Sequence, residues 1–146
     1  MRARRWLAAA PFSCRFCDWG SNTFAKLKRH SNDYLTEELE WFARQRIDLL
    51  YNCDANYAIF PQDVELTERM VEIKKKHGFP RKFRAAFAKN SNDRVFLVNK
   101  MLNDAGMSKG ATLSFQSMDE TTLAAVDRTN IGTERYAQLM RRYNEE

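Results

Sequence analysis

Apolar residues recur along this chain with two spacings, and the switch between them marks out its elements. From Asn32 onward the apolar positions Leu35, Leu39 and Phe42 fall four and three apart, which predicts an amphipathic helix capped by Asn32 or Asp33. Arg44 and Arg46 lie in its expected last turn, where cations suit the helix dipole. Ile47-Asp48-Leu49-Leu50-Tyr51-Asn52-Cys53 is short, mostly apolar and rich in β-formers, so it reads as a buried strand. A second helix opens at Pro61, with Val64, Leu66, Met70 and Ile73 facing inward. Lys74, Lys75, Lys76 and His77 close it, Gly78 supplies the left-handed turn, and Pro80 prevents continuation.

The plan then repeats. Phe83 to Ala88 reads as a strand. Asn92 or Asp93 starts a helix with Val95, Val98 and Leu102 inward, and Gly106 ends it. Ala111 to Phe115 reads as a third strand. Asp119 starts a short helix, and Gly132 separates it from a last helix carrying Tyr136, Leu139, Met140 and Tyr143. Strand starts about 36 and 28 residues apart have the spacing of βαβ units, which predicts an α/β fold with a parallel sheet. Three or four strands do not close a barrel, and a full eight-fold barrel needs roughly 200 residues or more. It stops on a helix where another strand is expected, and so reads as cut short. Arg4 to Ala10 is not β-like, and residues 1–10 are expected to be irregular.

The chain has 146 residues, 44% hydrophobic and 29% charged, which excludes a disordered or collagen-like chain. No apolar run is long enough to span a membrane. The start is basic, but its apolar stretch, Trp6 to Ala10, is shorter than the roughly seven residues of a signal peptide. Three cysteines are an odd count. A reduced, cytoplasmic setting is expected, with thiols used for metal or catalysis. The net charge of +5 is spread along the chain. Solvated helix faces and helix ends account for most of it, which argues against a nucleic-acid partner.

In parallel α/β folds, chemistry collects after the C-terminal ends of strands. Cys53 to Asn56, Lys89 to Ser91 and Gln116 to Asp119 qualify. Asn90, Asn92 and Asp119 are read first as helix caps. Asp54 and Asn56 precede their helix by several residues, so capping explains them less well. Cys14 and Cys17 form a C-x2-C pair able to share a metal, and Arg15 favours their thiolates. With Leu27 and His30 they partly match a zinc finger, whose fourth ligand is missing. A small zinc- or nucleic-acid-binding module using Cys14, Cys17 and His30 is therefore the alternative reading.

Pro11 to Gly20, with Cys14, Cys17 and the aromatic Phe16 before the second cysteine, resembles the cluster loop of the radical S-adenosylmethionine (radical SAM) enzymes. Their signature there is C-x3-C-x2-C. Asp54-Ala55-Asn56-Tyr57 resembles the loop after the second strand in the group often preceded by a cobalamin-binding domain. Ser114-Phe115-Gln116-Ser117, then Leu123 and Arg128, resembles the fourth-strand motif. The resemblance implies a partial (β/α)6 TIM-like barrel over residues 11–146. It implies a 4Fe-4S cluster on Cys14, Cys17 and a third cysteine, and cleavage of S-adenosylmethionine by one electron to a 5′-deoxyadenosyl radical. Asp54 and Asn56 would lie near the methionine moiety and Phe16 near the adenine. Gln116 and Arg128 would contact S-adenosylmethionine, the arginine through the carboxylate. A reductant such as flavodoxin or ferredoxin, a small-molecule substrate, and cobalamin through a further domain are implied as well. The departure is Ala10, where the first cluster cysteine is expected, so the chain as written is expected to be inactive. One explanation is a one-base shift at a run of cytosines, because the neighbouring frame can read Arg-Gly-Cys-Pro there. The first ten residues would then be out of frame. The resemblance also implies that Leu123 points into the core while Arg128 turns toward the ligand rim.

Overall fold

The computed structural model describes residues 1–4, 6–8, 28–88, 93–110, 117–128 and 131–145. Its centre is a parallel sheet of three short strands in the order β1 (Arg2–Arg4), β4 (Leu49–Asn52) and β5 (Lys82–Arg84). Arg4 lies opposite Asn52, and Tyr51 opposite Arg84, so the C-terminal ends of all three strands meet at one rim. Two residues beyond β1 the chain forms β2 (Leu7–Ala8), which pairs antiparallel with β3 (Lys28–Arg29). The residues before Pro11 therefore include a first strand, contrary to the irregular start expected from their composition. A parallel neighbour supplies the hydrogen-bond ladder, and that tertiary partner overrides weak β-propensity.

Helix α1 (Asn32–Arg44) starts one residue earlier than expected. Ser31 is the cap: its backbone is extended and its hydroxyl accepts from the Tyr34 N–H at 3.3 Å. Leu35, Leu39 and Phe42 are buried as their spacing requires. Arg46 falls outside the helix, in a left-handed turn. Helix α2 (Pro61–His77) runs between the expected bounds, with Gly78 at φ +76° after it. The Asp63 carboxylate closes the first turn by accepting from the Phe60 N–H at 3.1 Å. Leu66, Met70 and Ile73 are buried and Val64 is partly so. Lys74 reaches across from the end of α2 to the Ala105 carbonyl after α3 (Asp93–Asp104). Val95, Val98 and Leu102 of α3 are buried with Leu50, Phe83 and Met107 in one core.

The strand expected over Phe83 to Ala88 is shorter. Only Lys82–Arg84 pairs continuously, and pairing resumes at one bridge between Tyr57 and Phe87. There the Tyr57 N–H donates to the Ala86 carbonyl and the Tyr57 carbonyl accepts from the Ala88 N–H, at 2.8 and 2.9 Å. The expected strand Ala111 to Phe115 and the residues Asn90 and Asn92 lie outside the described residues. Asp119 caps α4 (Glu120–Ala125) by accepting from the Thr122 N–H at 2.7 Å. Helix α4 buries none of its residues, so Leu123 is only partly covered and does not reach the core as expected. A six-residue helix offers too little surface to bury a full face. In α5 (Thr133–Glu145) Leu139 is buried, whereas Met140 is exposed. Helix α5 leans on α3 through Phe96 and Tyr143, whose rings are 4.9 Å apart, and through Arg142 stacked 3.9 Å above Phe96.

Candidate functional site

The rim at the C-terminal ends of the strands gathers several buried polar side chains. It is built from the segments that leave β1, β4 and β5. Asn52, the last residue of β4, is buried and turns the chain with its own side chain: its Oδ1 accepts from the Asp54 N–H at 2.6 Å. This Asn-turn brings Asp54 back over the strand end, where it is only 4% exposed. The Asp54 carboxylate accepts from the Asn52 amide at 3.1 Å and from the Trp6 main-chain N–H at 2.7 Å. It thereby ties the end of β4 to the chain leaving β1. Asn56 is 5% exposed on the same loop. The alternative of Asp54 as a simple helix cap does not hold: α2 begins at Pro61, and Asp63 serves its first turn.

Tyr57 closes the loop from beneath. Its ring meets Trp6, Phe83 and Phe87 at centroid distances of 5.7, 5.3 and 6.0 Å. Its hydroxyl is hydrogen-bonded to the Thr67 hydroxyl at 2.8 Å, and Thr67 donates to the Asp63 carbonyl at 2.7 Å. Burial drives the Tyr57 pKa far above its ordinary value, helped by the nearby carboxylates of Asp63 and Asp54 and opposed by the Thr67 bond, so it stays neutral. Asp63 is buried too. Its pKa is raised by burial, with the Phe60 N–H and the Arg29 guanidinium pulling the other way. Arg29 of β3 reaches Asp63 at 3.2 Å and Asn32 at 2.8 Å, which seats β3 against the start of α2.

Among the residues predicted from sequence, Asp54 and Asn56 lie buried on one rim loop. Arg128 is buried at 8% exposure, directly after α4, its N–H donating to the Leu123 carbonyl at 2.9 Å. That burial sets it apart from a solvated helix arginine. Cys14, Phe16, Cys17 and Gln116 lie outside the described residues, as does Ala10. The chain that carries Cys14 and Cys17 nevertheless leaves from Ala8 and returns at Lys28, which are paired to each other. Cys53 is half-buried and unpaired by disulfide. No group of three His, Cys, Asp or Glu able to hold a metal occurs among the described residues. His30 is exposed and stacked 4.9 Å from Tyr34, and no observation supports its use as a zinc ligand. Sequence reading missed Trp6 as part of the rim. Its signal was weak: one aromatic in an Arg- and Ala-rich start.

No family model matches the chain. Two curated proteins do. Over 133 residues, 91% of this chain, it is 47% identical to a cobalamin-dependent radical SAM methyltransferase, TokK, of Streptomyces tokunonensis. It is equally similar over the same length to a 2-(S-pantetheinyl)-carbapenam-3-carboxylate methyltransferase of Streptantibioticus cattleyicolor. Over nine-tenths of its length the chain is thus similar to part of a protein described as a cobalamin-dependent radical SAM methyltransferase. It spans about one fifth of the length of these relatives. No described helix is long and apolar enough to cross a membrane.

Proposed function

We propose that this chain is a portion of the S-adenosylmethionine-binding core of a radical SAM methyltransferase that works with cobalamin. The observation that carries the proposal is the 47% identity over 133 residues. It is supported by the burial of Asp54, Asn56 and Arg128, three polar side chains of the kind that recognise a zwitterionic ligand. In this reading Asn56 and Asp54 stand by the methionine end of S-adenosylmethionine. Arg128 pairs with its carboxylate, Gln116 adds a further contact, and Phe16 packs at the adenine. The sheet is the opening portion of a partial (β/α)6 barrel, to which β1 adds a strand ahead of the core segment expected over residues 11–146.

The donor set of this chain does not fit a four-iron cluster. Cys14 and Cys17 supply two thiolates, and Ala10 supplies none at the third position. Two thiolates hold a cubane cluster poorly. The family's reductive cleavage of S-adenosylmethionine needs the whole cluster, so no step of it is assigned to the chain as it stands. A reductant, cobalamin and a small-molecule substrate belong to the proposed whole enzyme, in a reduced compartment.

Restoring the missing thiol tests this reading. Anaerobic reconstitution of the Ala10→Cys chain with iron and sulfide should raise bound iron toward about four per chain, with broad visible absorption. The chain with Ala10 should retain little. Equal iron in both forms would defeat the role given to Ala10. Tight colourless zinc binding without iron would favour the zinc module instead.

A further inference from the structure

Exposure alternates along β5. Phe83 is buried in the core, whereas Lys82 and Arg84 on either side of it are exposed. Successive strand residues point to opposite faces, so both cations leave the face turned away from the core, roughly 6.5 Å apart along the strand. Beside them runs the turn that follows α3. It passes through Gly106 at φ +64° and reaches Gly110 at φ +154°. The Phe83 N–H pins it to β5 by donating to the Met107 carbonyl at 3.0 Å, and the Met107 N–H pins it to α3 by donating to the Leu102 carbonyl at 2.8 Å. The Ser108 hydroxyl tightens it further by donating to the Gly110 carbonyl at 3.1 Å. Lys109 is carried on this turn. Strand and turn border a cavity of about 560 Å³, lined by Lys82, Arg84 and Lys109 together with Phe83, Phe87 and Met107.

We infer that this cavity binds a polyanionic small molecule, one that carries a phosphate ester or a diphosphate. Three positive side chains line it, and among the described residues no carboxylate does. Among the described residues none of these three cations has an ion pair or hydrogen bond through its side chain. By contrast Arg29, Arg69, Arg81 and Arg135 each meet a carboxylate. None of the three lies on a helix, so they do not serve to solvate a helix face or to suit a helix end. Like charges that converge on one concavity repel each other, and an anion seated between them relieves that repulsion. Arginine offers a planar fork to two phosphate oxygens, and each lysine adds a compact point charge. Three cations on two walls match an anion with several charged oxygens better than a single carboxylate. Phe87, partly buried, gives apolar surface to the uncharged remainder of the ligand. Asp54, Asn56 and Arg128 do not line this cavity, and the site is independent of the ligand proposed for them.

Calorimetric titration of the full chain with pyrophosphate at low ionic strength tests the site. One pyrophosphate should bind per chain, and absence of binding overturns the inference. Arg84→Ala should weaken binding by about tenfold or more, and Lys109→Ala by about threefold or more. Unchanged affinity in Arg84→Ala overturns the site. Lys75→Ala removes the same charge from an exposed position on α2 and should stay within about twofold of the parent. A loss in Lys75→Ala as large as that in Arg84→Ala would mean diffuse attraction by the net charge of +5, and would overturn the site as well. Citrate separates phosphate from carboxylate chemistry. It should bind more weakly than pyrophosphate, and equal or tighter citrate binding overturns the phosphate assignment. Helix content by circular dichroism shows whether each variant folds. If Arg84→Ala loses it, Lys109→Ala decides alone, and unchanged affinity there overturns the site.

Discussion

At the scale of single residues, electrostatics depend on which groups face each other across the helix seams. Glu40 of α1 meets His77 at 2.8 Å and Lys76 at 3.2 Å at the end of α2. Burial pushes its pKa up, but the hydrogen bonds and charges of Lys76 and His77 outweigh burial, and the net effect is downward from 4.5. A carboxyl whose pKa is lowered by folding contributes stability that is present above its unfolded pKa and lost as pH falls through its folded one. Glu40→Gln should therefore be less stable than the parent near neutrality, and the two should converge in acid. Urea unfolding from roughly pH 6 down to pH 3 checks this, and a constant gap across that range would refute it. The residues proposed to hold S-adenosylmethionine give a second test. In the reconstituted Ala10→Cys chain, Asn56→Ala and Arg128→Ala should each weaken retention of S-adenosylmethionine by about tenfold, read by equilibrium dialysis. Trp41→Ala, on the exposed face of α1, should leave retention unchanged.

At the scale of elements, the helices were legible because their signals are local. The four-and-three spacing of Leu35, Leu39 and Phe42, the Pro61 start and the Gly78 stop each need only a few neighbouring residues. Gly78 carries the left-handed turn that ends α2, at φ +76°, with open space where a Cβ would go. The cost of a side chain there is backbone strain without collision. Gly78→Ala should lower stability by about 1 kcal/mol, measured by chemical denaturation, with α2 still ending at the same place. No change in stability would mean that the turn does not depend on glycine. Strands were less legible, because their hydrogen bonds come from partners far off in sequence. β1 was invisible in Arg2–Arg4, and β5 stopped at Arg84 although the apolar pattern ran on to Ala88. In the second case the Tyr57 main chain takes up the hydrogen bonds of Ala86 and Ala88, which moves the pairing off β4 and onto the loop.

At the scale of the whole molecule, the parallel order β1-β4-β5 directs three loops to one rim, and the helices α1, α2 and α3 pack beside one another on the core that supports it. Truncating a residue at the centre of that core should loosen rim and helices together. Leu102→Ala, fully buried between α3 and the sheet, should cost about 2–5 kcal/mol. The thermal transition seen by Trp fluorescence and that seen by helix content should then fall together. A drop in one without the other would mean that the rim and the helical layer are separate units.

The sequence by itself determined the alternation of helix and strand from α1 to α3, the caps Asp119 and Gly78, the inward faces of α2 and α3, and the residue types of the candidate site. These depend on periodicity and local hydrogen bonding, which a short window of chain contains. Tertiary structure alone decided that Ser31 caps α1, that Leu123 is only partly covered, and that a strand precedes Trp6. It also decided that Asp54 turns back through Asn52 to hold the Trp6 N–H. That bond joins residues 48 apart in sequence. Its partner is a main-chain N–H, which every residue but proline carries, so no side-chain pattern announces it, and only the parallel pairing of β1 with β4 brings the two together.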